Sequence, residues 1–207
     1  MKASLMHGGK EVAGNTESGG RRHRNRWRIA VWGTAAFLLL LPLGAMQFTS
    51  EVNWDETDFI VFGAMLAAAC GTYELAARMT GNTAYRAAVG VAVAAAFLLI
   101  WINLAVGIIG SEDHPANLMY GGVLAVGIVG AVIVRFQPHG MVRALVGMAL
   151  AQALVAVIAL IFGWGSGGAN WPQVIVVLNG FFAALWLGSA WLFRRAAREQ
   201  TPAAAAT

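Results

Sequence analysis

Apolar positions along this chain gather into six runs, at residues 29–47, 59–77, 87–110, 118–134, 144–164 and 174–193, separated by short polar segments. At ~1.5 Å of rise per helical residue, each run is long enough to cross a hydrocarbon core of ~30 Å. The pattern predicts an all-α integral membrane protein with six transmembrane helices. The long polar leader, the near-complete span length of the first run and the lack of a small-residue cleavage pattern around Leu43, Gly44, Ala45 and Met46 mark that run as a retained helix, not a removed signal peptide.

Charge turns this pattern into a topology. All 14 Lys and Arg residues fall before the first run, between the second and third, between the fourth and fifth, or after the sixth. Cytoplasmic loops collect Lys and Arg, so both termini are predicted to be cytoplasmic. Six of the acids take the opposite loops: Glu51, Asp55, Glu56, Asp58, Glu112 and Asp113. Asp58 and Asn117 suit the N-caps of outward-facing helix starts. Neither acidic loop has the ligand spacing of a calcium site, and no metal is expected.

Hydrophobic residues make up 58% of the chain and charged residues 12%, against ~25% charged in soluble domains, which leaves no room for a separate soluble domain. Residues 1–27 form a basic leader without apolar periodicity, predicted to be disordered and cytoplasmic. Residues 28–195 form the six-helix domain, and 196–207 a flexible cytoplasmic tail. The basic balance follows from topology, and nucleic acid is not an expected partner. The Ala-, Gly- and Arg-rich composition points to a bacterial inner (plasma) membrane, with the lipid bilayer as the surrounding partner. The single cysteine, Cys70, lies inside the second run, excludes an internal disulfide and reads as a small apolar residue.

A weak repeat with a period near 58 residues runs through the spans. Odd-numbered spans open on Arg28, Arg86 and Arg143, each followed by a glycine, at Gly33, Gly90 and Gly147. Even-numbered spans carry glycines eight apart: Gly63 with Gly71, Gly122 with Gly130, and Gly180 with Gly188. The repeat predicts three tandem helical hairpins. The six even-span glycines are the candidate helix-packing residues, because small side chains let helix backbones approach closely in lipid. The copies run parallel, whereas inverted repeats are the commoner mark of alternating-access carriers.

Polar groups inside spans are where function is sought in a membrane protein. The candidate intramembrane polar site is Glu74, Arg78, Asn103, Gln152 and Asn179. Glu74 precedes Arg78 by four residues and is placed on the same helix face, which reads as an interfacial ion pair. No second acid lies deep in another span to receive a proton from it. Gln152 is placed near mid-bilayer, and Asn103 and Asn179 in the outer half. Such amides most often bond across helices, at ~0.6 kcal/mol on average. Trp and Tyr residues, including Tyr85, Tyr120, Trp164, Trp171 and Trp191, fall near predicted span ends and read as interfacial anchors, while Trp101 and Trp186 are deeper.

The chemistry-bearing inventory is thin. All four histidines, His7, His23, His114 and His139, lie outside the apolar runs, which argues against a transmembrane bis-histidine haem. No HExxH, phosphate-binding loop, nucleophile elbow or CxxC occurs. No catalytic residue and no cofactor are assigned. The expected function is non-enzymatic: a membrane protein acting by helix packing or by assembly with a membrane-protein partner, a second copy of itself included. The alternative is a transporter or channel for a small solute or cation, for which Glu74, Asn103, Gln152 and Asn179 would converge on one water-accessible cavity.

Overall fold

The computed structural model describes residues 28–50, 52–168 and 170–204; side chains from 201 onward are not described. The expected disordered leader at 1–27 lies outside these residues. The described chain is all-helical, without strands. Six helices are long and apolar enough to cross a membrane: α1 (Arg28–Ala45), α2 (Glu56–Met79), α3 (Thr83–Ala105), α4 (Met119–Ile133, entered through a 3-10 turn at Pro115–Leu118), α5 (Pro138–Ile161) and α6 (Gln173–Ala204).

Local chemistry sets the helix ends. Asp55 and Asp58 form a reciprocal capping box at the start of α2: each backbone N–H donates to the other's carboxylate at 3.0 Å. Asp55, not the expected Asp58, is therefore the N-cap. Asn82 caps α3 by accepting from the Tyr85 N–H at 2.8 Å, and Pro138 opens α5 where a missing N–H costs nothing. The expected cap Asn117 works differently. Its side chain accepts from the N–H groups of Ile108 and Ile109 and donates to the Ser111 carbonyl, so it ties down the loop after α3. That loop leaves α3 through Gly107 at φ 69°, where a Cβ would collide with the Ser111 carbonyl.

The chain divides into two compact units, residues 1–70 and 71–207. In the first, Leu39 of α1 lies against Gly63 of α2, and Trp54 meets Phe59 and Phe62 edge-on, both at 5.3 Å. The second holds the last turns of α2 and all of α3 to α6 around one core, including Leu99, Val123, Leu145, Ile175, Phe182, Trp186 and Phe193. Here α5 packs on α6, α3 on α6 and α4 on α5, while α3 and α4 touch little. The pair that the repeat would join as its second hairpin is thus separated by the α5–α6 pair.

Helix α6 runs past the expected domain boundary at residue 195. Ala196 and Ala197 are buried, and Glu199 accepts from the Asn82 side chain at 3.0 Å while pairing with Arg195. Ala, Arg, Glu and Gln are strong helix formers, and an i,i+4 ion pair adds to them, so the helix continues where hydropathy has already fallen.

Candidate functional site

The second unit contains a buried polar cluster built from three helices. Asn179 of α6 is its hub. The Gln152 amide on α5 donates to the Asn179 side-chain oxygen at 2.9 Å, and the Asn179 amide donates to the Tyr120 hydroxyl on α4 at 3.0 Å and to its own helix at the Ile175 carbonyl at 2.9 Å. Trp186, two turns along α6, donates its indole N–H to the Gln152 oxygen at 3.4 Å, a long bond. Gln152, Asn179, Tyr120 and Trp186 are all at most 2% exposed. Nearby on α6, the Ser189 hydroxyl donates to the Ala88 carbonyl of α3 at 2.8 Å.

Period explains why these side chains meet. Asn179 and Trp186 are seven residues apart and share a helix face with Ile175, Phe182 and Phe193, all buried. That face lies against α5, whose buried stripe includes Leu145, Met148, Gln152, Val155 and Ala159. A buried amide without a partner costs ~1–3 kcal/mol, so the cluster is tolerable because each member meets another. Donors and acceptors are matched within it, and no carboxylate, histidine, lysine, arginine or cysteine takes part.

The five candidate polar residues thus divide into three places. Gln152 and Asn179 meet directly. Asn103 turns back on α3, its amide donating to the Leu99 carbonyl at 2.8 Å, and its side-chain oxygen is buried with no hydrogen-bond partner. Glu74 and Arg78 form the i,i+4 ion pair, with Arg78 largely exposed. Tyr120 and Trp186 belong to the cluster although neither was a candidate. Tyr120 was expected as a headgroup anchor because it lies near a span end. Its burial follows from its place on the α4 face turned toward α5 and α6, which one-dimensional hydropathy does not register.

The candidate packing glycines have three kinds of surroundings. Of the six, Gly130 makes a tight approach: an added Cβ would sit 2.8 Å from the Ala144 Cβ of α5. Gly63 is in ordinary contact with Leu39. An added Cβ at Gly71, Gly122, Gly180 or Gly188 would meet nothing within 4 Å. The eight-residue spacing selects glycines near one face but does not say that this face turns toward a neighbour. Two further tight approaches on α4 and α5 fall outside the six, at Gly127 against Met148 and Gly140 against Val134.

A shallow cavity of ≈ 180 Å³ lies between the loop after α3 and the loop before α6, lined by Gly107, Ile108, Gly110, Gly165 and Trp171 among others. The two loops touch where a Cβ on Gly165 would come within 2.9 Å of the Gly110 nitrogen. Glu74, Asn103, Gln152 and Asn179 are not among its lining residues. No group of three or more His, Cys, Asp or Glu residues that could hold a metal occurs among the described residues.

Fold and site together define the class: an all-helical chain with six helices long and apolar enough to span a membrane, compatible with a multi-pass membrane protein, and with a polar cluster closed inside its second unit. No protein-family model, curated protein or solved structure matches the chain.

Proposed function

We propose that this chain is a non-enzymatic integral membrane protein that acts by helix packing and by assembly with a membrane-protein partner, a second copy of itself included. One observation carries the reading: the intramembrane polar side chains are spent on one another or on their own helices instead of lining a shared cavity. Gln152 and Asn179 bond within the closed cluster, Asn103 bonds its own helix, and Glu74 pairs with Arg78. A solute path needs polar groups facing a common water-filled route. Transport of a small solute or cation, the alternative, would call for convergence of these four residues, and their separation counts against it.

The proposed setting is a bacterial inner membrane, with six spans and both termini cytoplasmic. The distribution of the 14 basic residues supports the orientation. Support for assembly comes from the outer face of α6. Gly180 and Gly188 alternate there with exposed Phe181, Leu187 and Trp191, leaving a lipid-facing or helix-facing surface with small residues in it. The test is purification of the full chain in native lipid, followed by mass spectrometry of the intact particle. Stoichiometric copies of the chain or of another membrane protein are expected. A strict monomer that carries a solute flux in reconstituted vesicles would overturn the proposal in favour of transport.

A further inference from the structure

At one end of the second unit a single tyrosine joins three arginine-bearing stretches of chain. Tyr85, near the start of α3, donates its hydroxyl to the Phe136 carbonyl in the α4–α5 turn at 2.9 Å, and its ring meets Phe193 of α6 edge-on at 4.9 Å. Each of these three residues has an arginine next to it in the chain: Arg86, Arg135 and Arg194. The Tyr85 contacts therefore bring the backbones that bear these arginines to one place, although they come from different helices. None of the three forms an ion pair among the described residues. Among the described residues, the two acids at this end are already engaged, Glu74 with Arg78 and Glu199 with Arg195. The turn is held in a costly shape, with Arg135 at φ 51° and Phe136 at φ 58°. Left-handed backbone at non-glycine residues is strained and collects where a structure has a use for it. Beside the cations, Ile133 and Phe136 are 73% and 51% exposed.

We propose that this end of the unit binds an anionic phospholipid, with Arg86, Arg135 and Arg194 holding the phosphate headgroup and the exposed Ile133 and Phe136 lying along an acyl chain. The inference rests on the membrane reading above. Guanidinium forks match phosphate oxygens with two parallel hydrogen bonds. Basic pockets between transmembrane helices on the cytoplasmic side suit anionic headgroups. Charge complementarity alone would fit free phosphate equally well. The exposed apolar residues beside the arginines favour a lipid, because a free anion has no use for them.

The experiment places the full chain in nanodiscs of phosphatidylcholine with a minor fraction of phosphatidylglycerol and counts retained lipids by native mass spectrometry. Phosphatidylglycerol should be retained over phosphatidylcholine. The triple variant R86Q/R135Q/R194Q should lose that preference by on the order of tenfold or more. The triple lysine variant, which keeps the charge but not the bidentate fork, should fall between the wild type and the glutamine variant, and R78Q/R195Q, which removes arginines already paired, should leave the preference unchanged. Equal retention of both lipids by the wild type, or undiminished preference in the triple glutamine variant, would overturn the proposal. Displacement of phosphatidylglycerol by inorganic phosphate would assign the site to a free anion and overturn it as well. If the glutamine variant does not fold, the wild-type preference and the lysine variant decide. Lipid binding without anionic preference sinks this site while leaving the membrane reading intact, whereas failure of the chain to enter a bilayer sinks that reading itself.

Discussion

Asn179 and Asn103 look alike in the sequence, both amides within apolar runs, yet the structure predicts that their removal differs severalfold. In Asn179→Ala, the Gln152 amide loses its acceptor and the Tyr120 hydroxyl loses its donor, both in positions at most 2% exposed. Each orphaned buried group costs ~1–3 kcal/mol in water-soluble proteins, whereas hydrogen bonds between membrane helices average only ~0.6 kcal/mol because the separated helices find other partners. With two groups orphaned, the expected loss lies between about 1 and 4 kcal/mol. Asn103→Ala breaks one bond to the carbonyl of its own helix and also deletes a buried oxygen that has no partner. Its expected change is within about 0.5 kcal/mol, and a small gain in stability is allowed. Reversible unfolding in mixed detergent micelles measures both. A double-mutant cycle between Asn179→Ala and Gln152→Ala should show a coupling of at least ~0.5 kcal/mol, since the two amides touch. Equal losses for the two asparagines, or an additive cycle, would refute the argument that the cluster holds α4, α5 and α6 together.

Three further outcomes follow from the same geometry. Gly130→Leu should cost ~1–3 kcal/mol by overpacking against Ala144, while Gly122→Leu, with open space around it, should shift the melting point of the isolated chain little; the reverse order would show that the α4 surfaces are misassigned. Glu74→Gln should lower stability by at most ~1 kcal/mol, because Arg78 is exposed and the pair screened, and a folded variant that loses a measurable flux would promote the transport reading. Cysteine labelling in intact cells should reach positions 49–55 and 111–115 from outside but neither residue 5 nor the C-terminus, and an externally reactive C-terminus would invert or break the proposed topology.

Much of the fold was legible in one dimension because hydropathy and helix length answer to the same constraint. A span must satisfy its backbone internally and match a ~30 Å core, so long apolar runs become long helices regardless of their neighbours. The ion pair of Glu74 and Arg78 was legible for a similar reason, since i,i+4 spacing is a property of a single helix. The side on which each helix meets its neighbours was not legible. Gly122, Gly180 and Gly188 have the spacing of a packing face but look outward, whereas Gly127, outside the repeat, lies against Met148. Tyr120 sits near a span end, as an interfacial residue would, yet it is buried in the cluster because α4 lies on α5 there. In a soluble protein the polar face of a helix marks its outside, but in an apolar span every face reads alike. Sequence alone determined that there are six long helices, where their cations fall and that Glu74 meets Arg78. Only the tertiary structure decided that α3 lies on α6, that Gln152, Asn179, Tyr120 and Trp186 form one cluster, and that Tyr85 meets both Phe136 and Phe193, because each depends on how helices rotate about their own axes against one another.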